Sequence, residues 1–176
     1  MTMWVFGYGS LLWKPGFTPA ESVVAHLTGY RRSFCMTSIH HRGSEEEPGL
    51  VLALDAEGGA GCTGLALRAA DHEADKVLAY LRERELISSA YVETQVPLEL
   101  ADGRRIEALA YVIDPQHRQY CGGLPLEEQA QIIARARGGM GPNAEYLLNT
   151  AAHLEELGLG DEELTWLAAR VRNLRG

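Results

Sequence analysis

The chain has 176 residues, of which 46% are hydrophobic, and this length and composition suit one compact domain over residues 1–176. Sixteen Lys and Arg against 24 Asp and Glu give a formal net charge of −8, so the mean field repels nucleic acid phosphates and anionic membrane surfaces. The apolar content also argues against intrinsic disorder. We therefore expect a folded domain that binds neither nucleic acid nor membranes.

The sequence lacks the usual signals of membrane insertion and secretion. No window approaches 18 uninterrupted apolar residues, and residues 1–9 lack the basic start and the long apolar stretch of a signal peptide. Cys35, Cys62 and Cys121 are odd in number and widely spaced, with no C-x-x-C pair, which argues against a disulfide framework or a cysteine zinc site. We expect a soluble protein of the reducing cytoplasm.

Short β-favouring runs, punctuated by glycine and proline, occupy the first two thirds of the chain. The predicted strands are residues 3–6, 23–27, 32–37, 50–55, 64–67, 91–98 and 106–113. Their spacing indicates a barrel or a curled sheet. Asp102 and Gly103 form a D-G turn signal between the last two runs, which predicts a hairpin.

Helical periodicity interrupts the strands once and then replaces them. A helix is predicted over residues 71–85, and three more follow over residues 126–137, 143–157 and 161–173. Asn143 and Asp161 are the expected N-caps of the last two. The predicted class is α+β.

The first of these helices contains a candidate catalytic carboxylate. At about 100° per residue, Glu85 falls on the apolar stripe that includes Val77 and Leu81, whereas Glu83 falls on the opposite side. A carboxylate that is partly desolvated at a helix C-terminus has a raised pKa, as a general acid or base requires. Two structural alternatives stay open at this point: the helix ends before Glu85, or Glu85 pairs with an arginine.

A glycine-flanked loop follows the first predicted strand. Gly7 and Gly9 surround Tyr8, and a loop of this kind turns successive backbone amides toward one point, where they bind a carboxylate, a phosphate or an oxyanion. Leu12 stands where the third glycine of G-x-G-x-x-G would be, and no P-loop occurs, so nucleotide binding is not indicated. A glycine bulge in a sheet is the structural alternative.

Other candidate groups are weaker. The six histidines contain no H-E-x-x-H or other recognised ligand spacing, so we expect no metal site. Ser10 does not match a nucleophile elbow, because Leu12 replaces the glycine that this motif has two residues after the serine. Cys35 lies in a predicted buried strand, where cysteine usually packs as a small apolar residue.

Several motifs occur together across nearly the whole chain. They are V-F-G-Y-G-S-L-L-W at 5–13, G-Y-R-R-S-F-C at 29–35, R-G-S-E-E-E-P-G-L-V-L-A-L at 42–54, G-G-A-G-C-T-G at 58–64, R-E at 84–85 followed by Tyr91, and G-P-N-A-E-Y-L at 141–147. With this set the sequence resembles the ChaC family of γ-glutamylcyclotransferases, which act on glutathione. The resemblance implies a small mixed β-barrel with surrounding helices and a helical C-terminal segment.

The resemblance also implies roles for individual residues. Glu85 is expected to be the general acid/base, and Tyr91 is expected to close the pocket. The amides of the first loop are expected to hold the γ-glutamyl moiety; the loop residues are Val5, Phe6, Gly7, Tyr8, Gly9, Ser10 and Leu11. Residues 87–90 replace the Thr-Gly or Gly-Gly that often precedes the tyrosine, and this departure bears on substrate preference and rate.

The expected reaction follows from the geometry of the substrate. In a γ-glutamyl amide the free α-amine can close a five-membered ring on the γ-carbonyl, so neither a protein nucleophile nor a cofactor is required. We expect this lyase to convert glutathione, its small-molecule partner, to 5-oxoproline and cysteinylglycine. Two alternatives stay open: a cyclotransferase for other γ-glutamyl amino acids or γ-glutamylamines, and a non-catalytic module that binds small molecules.

Overall fold

The computed structural model describes residues 2–86 and 90–176 and contains both helices and strands. In chain order the elements are β1 (Met3–Gly7), α1 (Ser10–Trp13), β2 (Glu21–Ser38), β3 (Gly49–Ala69), α2 (Ala74–Glu85), β4 (Tyr91–Leu100), β5 (Arg105–Ile113), α3 (Leu126–Arg135), β6 (Arg137–Gly138), β7 (Gly141–Pro142), α4 (Asn143–Glu156) and α5 (Glu162–Arg175). A 3-10 turn precedes α2. The predicted α+β class is confirmed.

The long strands form a closed barrel in the order β1, β3, β2, β4, β5. The strand β1 runs antiparallel to β3, with Gly7 opposite Leu65, and it also pairs in parallel with β5 through Val5 and Leu109. The barrel expected from the strand spacing and from the family resemblance is therefore confirmed.

Two of the predicted strand breaks are wrong. Residues 23–27 and 32–37 belong to the single strand β2, and residues 50–55 and 64–67 belong to the single strand β3. Gly29 and Gly59 have positive φ values of 88° and 84° within these strands. Glycine adopts such values without steric cost, so each strand changes direction locally and continues instead of ending.

The predicted hairpin between β4 and β5 is confirmed. The two strands pair antiparallel from Tyr91 opposite Ile113 to Glu99 opposite Arg105. Gly103 has a φ of 93°, which a residue with a side chain rarely adopts. The D-G signal therefore reflects a real conformational requirement of the turn.

The helices of the C-terminal region lie close to their predicted positions, with one wrong N-cap. Asp161 caps α5, because its carboxylate accepts a hydrogen bond from Leu164 N at 3.1 Å. Asn143 does not cap α4 but is its first residue, after Pro142. The helices of the described residues include none that is long and apolar enough to span a membrane.

The reason for the Asn143 error is a tertiary contact. Asn143 is fully buried, and its amide forms two hydrogen bonds of 2.8 Å with the backbone of Leu50: Nδ2 donates to the carbonyl oxygen, and Oδ1 accepts from the amide. The side chain thus pairs with β3 in the way a strand neighbour would, and it is not available to cap its own helix.

The chain divides into two compact units. The first comprises Met1–Arg32 and Leu54–His117, and the second comprises Ser33–Ala53 and Arg118–Gly176. Every residue that the sequence predicts for the functional site belongs to the first unit. Within the second unit, α3, α4 and α5 bury a set of aliphatic side chains that includes Ile133, Leu147 and Leu167.

Candidate active site

Glu85 is the last residue of α2, and its side chain is only 14% exposed. Val77 and Leu81 on the same helix are buried, whereas Glu83 is exposed. The orientation predicted for the two carboxylates from helical periodicity is therefore confirmed, and the alternative that the helix ends before Glu85 is excluded.

The surroundings of Glu85 favour proton exchange. Burial raises the pKa of the Glu85 carboxyl, and the positive charge of Arg84 partly opposes this rise. Arg84 Nε lies 3.4 Å from Glu85 Oε1, so the arginine pairing considered from the sequence does occur. A carboxyl with a raised pKa holds and releases a proton closer to neutral pH than an ordinary glutamate does.

The glycine loop is held in place at Tyr8. The strand β1 ends at Gly7, and the chain passes through Tyr8 and Gly9 into α1. The Tyr8 hydroxyl donates to the carbonyl oxygen of Tyr111 at 2.8 Å, and the Tyr8 carbonyl oxygen accepts from Arg32 Nε at 2.7 Å. Both the side chain and the backbone of Tyr8 are thus fixed to the barrel, and Tyr8 is buried.

One apolar cluster brings the loop, the helix α2 and Tyr91 together. Its buried members are Val5, Leu11, Ala69, Val77, Leu81 and Tyr111, and the partly buried Met3, Phe17, Leu86 and Tyr91 pack against them. Val5 and Leu11 are the contributions of the loop segment, while Leu86 directly follows Glu85. The predicted site residues therefore converge on one region of the first unit.

The remaining loop residues differ in burial. Phe6 is fully buried in β1, and Ser10 is half-buried at the start of α1. The hydroxyl of Ser10 accepts a hydrogen bond from Arg84 Nη2 at 3.0 Å. The Ser10 hydroxyl therefore accepts a hydrogen bond from a cation, which suits a structural hydroxyl better than a nucleophile.

Arg84 also contacts the far end of α1, where its Nη1 atom donates to the carbonyl oxygen of Lys14 at 2.5 Å. Arg84 thus joins the end of α2 to both ends of α1. The sequence pointed to this residue only as the partner of Glu85 in the R-E motif, and its contacts with Ser10 and Lys14 were missed.

A second polar group near Glu85, the Tyr111 hydroxyl, was also not identified from the sequence. Tyr111 is buried, and its hydroxyl donates to Glu93 Oε1 at 2.9 Å, while Arg82 donates to both oxygens of the same carboxylate at 3.0 and 3.1 Å. Burial is the main cause that raises the pKa of the Tyr111 hydroxyl, the hydrogen bond with Glu93 and the charge of Glu93 come next, and the charge of Glu85 adds to them. Tyr111 therefore stays a neutral donor, and the β4–β5 register, which sets it opposite Glu93, was the available signal.

Gly64 allows β3 to lie close to the loop. A Cβ atom on Gly64 would overlap the carbonyl oxygen of Gly7 at the end of β1. The G-C-T-G part of the fourth motif therefore has a steric role beside the loop, which the sequence alone did not reveal.

Among the weaker candidates, Ser10 lies in the loop region, whereas Cys35 and the histidines His40 and His41 belong to the second compact unit. Cys35 is fully buried in β2, and His40 and His41 are exposed outside the helices and strands. Within residues 2–86 and 90–176 no group of three or more His, Cys, Asp or Glu is arranged to hold a metal ion. Of the departure from the family pattern at residues 87–90, residues 87–89 lie outside the described residues, and Ala90 is buried.

Comparisons with known proteins agree on one family. The model of the family described as ChaC-like protein matches residues 3–174. The glutathione-specific gamma-glutamylcyclotransferase of Escherichia coli (strain K12) is 38% identical over 172 residues, which are 98% of this chain and 74% of that protein. The human glutathione-specific gamma-glutamylcyclotransferase 1 is 39% identical over 159 residues, which are 89% of this chain and 71% of that protein.

A solved structure shares the fold. It is that of a gamma-glutamyl cyclotransferase specific to glutathione from yeast, with a TM-score of 0.88 and 23% sequence identity, and the match covers 99% of this chain and 97% of that one. The barrel with its surrounding helices is thus an architecture that already occurs among solved proteins.

Proposed function

This chain belongs to the ChaC-like family, and we propose that it is a glutathione-specific γ-glutamylcyclotransferase that releases 5-oxoproline and cysteinylglycine. Relatives with this name are 38% and 39% identical over most of the chain. The observation that carries the proposal is the position of Glu85, a carboxylate that is only 14% exposed at the end of a helix whose apolar face packs on the glycine loop. A carboxylate placed in this way suits proton transfer on a ligand held by the loop.

The proposed reaction needs no protein nucleophile. The α-amine of the γ-glutamyl residue attacks the γ-carbonyl carbon, a new C–N bond closes the five-membered ring, and the original amide C–N bond then breaks. Because the attacking amine belongs to the substrate, the enzyme gains most by holding the substrate in its folded form. The products are 5-oxoproline and, from glutathione, cysteinylglycine.

Glu85 moves the proton in this scheme. Its carboxylate accepts a proton from the α-ammonium group as attack begins and delivers the proton to the leaving amide nitrogen as the bond breaks. The ring nitrogen loses one more proton as the lactam forms, and the released amine takes up one proton to become an ammonium group. The raised pKa suits both steps, because a stronger acid would hold the proton too weakly to take it from an ammonium group. One carboxylate therefore serves as base and as acid.

The loop binds the γ-glutamyl moiety in this scheme. Ser10 and Leu11 open α1 directly after Tyr8 and Gly9, and in this scheme the backbone amides of these four residues are directed at the substrate. Such amides stabilise the substrate carboxylate or the tetrahedral oxyanion. The preceding residues 5–7 support the loop from within the barrel.

Tyr91 closes the other side of the proposed pocket. It is half-buried at the start of β4 and packs against the cluster that contains the loop residues Val5 and Leu11.

We place the reaction in the cytoplasm, in one domain over residues 1–176, with a small-molecule substrate as the partner and without a metal, an organic cofactor, nucleic acid or membrane.

The test is a product assay by mass spectrometry. The purified protein is incubated separately with glutathione, γ-glutamylalanine and a γ-glutamylamine, and 5-oxoproline and the released amine are quantified. We expect product from glutathione and little from the other two compounds. Product from γ-glutamylalanine or the γ-glutamylamine alone would contradict the proposal that glutathione is the substrate. A rise in Tm with glutathione but without any product would contradict the proposed reaction.

A further inference from the structure

Arg84 contacts the main parts of the proposed site at once. Its Nε atom lies 3.4 Å from Glu85 Oε1, its Nη2 atom donates to Ser10 Oγ at 3.0 Å, and its Nη1 atom donates to the Lys14 carbonyl oxygen at 2.5 Å and to the Tyr80 hydroxyl at 3.2 Å. The Arg84 side chain is only 20% exposed. An arginine in the last turn of a helix usually extends into solvent, and this one is instead directed across the site.

The geometry of the guanidinium group makes these contacts interdependent. Its nitrogens form a rigid plane, so fixing one partner fixes the directions of the others. Ser10 is the first residue of α1, and Lys14 is its C-cap, so Arg84 holds both ends of this short helix. The loop residues that precede Ser10 are thereby held relative to Glu85.

A second contact supports the same arrangement. Tyr80 lies one helical turn before Arg84 on α2 and hydrogen-bonds with it. Gly16, just after α1, has a φ of 80°, and a Cβ atom there would overlap the Tyr80 ring. The segment that follows α1 therefore lies directly on Tyr80, and α1 is docked on α2 by more than one side chain.

We propose that Arg84 is the positioning residue of this site and sets the distance between the Glu85 carboxylate and the glycine loop. This inference rests on the proposed function, because it gives Arg84 a part in that reaction. Glu85 must reach the same substrate that the loop holds, and a misplacement of about 1 Å between catalytic groups lowers a rate by about 100-fold. The Arg84 side chain pairs with Glu85 on one side and hydrogen-bonds with Ser10 on the other.

Arg84 also supplies charge. Arg84 from the same helix and Tyr111 from β5 both interact electrostatically with Glu85, and Tyr91 from β4 packs on the apolar cluster that contains Tyr111. Tyr111 stays neutral because burial raises its pKa. Arg84 is thus the group that favours the ionised form of Glu85, which is the form that accepts the proton from the substrate.

The test uses Arg84→Gln and Arg84→Lys, with Lys76→Gln as the matched control. Lys76 is exposed on the same helix, about 12 Å along the axis from Arg84, so its removal changes the net charge equally without touching the site. For each protein, kcat and KM for glutathione are measured from about pH 5 to 9. Tm is measured in parallel to establish that each variant is folded.

The two Arg84 variants separate position from charge. Arg84→Gln loses the bridging contacts, so we expect kcat to fall by about 10-fold or more. It also loses the positive charge beside Glu85, so we expect the acidic limb of the kcat/KM pH profile to move to higher pH. Arg84→Lys keeps the charge, so the acidic limb returns toward the wild-type position. Its single ammonium cannot bridge Glu85, Ser10 and Lys14 together, so kcat stays low.

Two results would overturn the inference. The first is an Arg84→Gln protein with the same kcat and the same acidic limb of the kcat/KM pH profile as Lys76→Gln, which would mean that Arg84 only forms a surface ion pair. If Arg84→Gln does not fold, Ser10→Ala is combined with Arg84→Lys, and we expect Ser10→Ala to cost less in that background because the bond it removes is already weakened. Additive effects would contradict the inference. Absence of 5-oxoproline with the wild-type protein would instead defeat the proposed function itself.

Discussion

The hydroxyl of Tyr8 donates to the carbonyl oxygen of Tyr111 at 2.8 Å, across 103 positions of the sequence. Tyr8 belongs to the glycine loop, and Tyr111 lies in β5 and packs in the same apolar cluster as Val77 and Leu81 of α2. This bond ties the proposed substrate-binding loop to the strand that faces Glu85. The bond therefore helps the barrel to hold the loop in place.

Tyr8→Phe removes this bond and keeps the ring. We expect unfolding stability to fall by about 1 kcal/mol, because one buried hydrogen bond is lost and little packing changes. We also expect a higher KM for glutathione, since the loop is then held at Tyr8 by the backbone bond with Arg32 but no longer by the side chain. Thermal unfolding and steady-state kinetics measure the two effects. Tyr30→Phe on β2 is the control, and an unchanged KM in Tyr8→Phe would contradict the role given to the bond.

Asn143→Ala tests the contact that displaced the predicted N-cap. Both hydrogen bonds with Leu50 disappear and leave buried backbone groups of β3 without these partners, so we expect a loss of about 2 kcal/mol or more in unfolding free energy. Asn173→Ala, at an exposed position of α5, is the matched control. Urea denaturation measures both, and equal losses would contradict the structural role of Asn143.

Glu85→Gln is expected to stabilise the folded protein at neutral pH. Because burial raises the pKa of Glu85, the folded state is penalised once the carboxyl ionises, and stability falls as pH rises from the unfolded-state value of 4.5 through the higher folded-state pKa. The variant lacks this penalty, so its Tm exceeds that of the wild type above this range and equals it below. Glu83→Gln, on the exposed face, is the control.

A Glu85→Gln protein that is less stable than the wild type at neutral pH, or a difference in Tm that does not change with pH, would contradict this account. Such a result would mean that the ionised carboxylate is well compensated by Arg84, as an ordinary structural ion pair is. We expect Glu85 to lower the stability of the folded protein at the position where it supports catalysis.

Features that depend on near neighbours in the chain were predictable from the sequence. The face of α2 that carries Glu85 follows from a 3.6-residue period, the β4–β5 hairpin follows from Asp102 and Gly103, and the cap of α5 follows from Asp161. In each case the deciding partners are a few residues apart, so local pattern and local geometry agree.

Features that depend on distant partners were not predictable. Arg84 lies 74 positions from Ser10, and Asn143 lies 93 positions from Leu50, so no local pattern indicates either contact. The continuity of β2 through Gly29 was also not predicted, because glycine is as common at a turn between strands as at a bend within one strand. The position of Glu85 could therefore be predicted, but not the arginine that connects it to the loop.

The most direct test of the central claim compares Glu85→Gln with Glu83→Gln in the conversion of glutathione to 5-oxoproline, followed by mass spectrometry with Tm as the measure of folding. We expect Glu85→Gln to lower kcat by about 100-fold or more, because the group that carries the proton is gone, and we expect Glu83→Gln to keep wild-type turnover. A folded Glu85→Gln protein with near-normal turnover would contradict the claim that Glu85 is the acid/base of this enzyme.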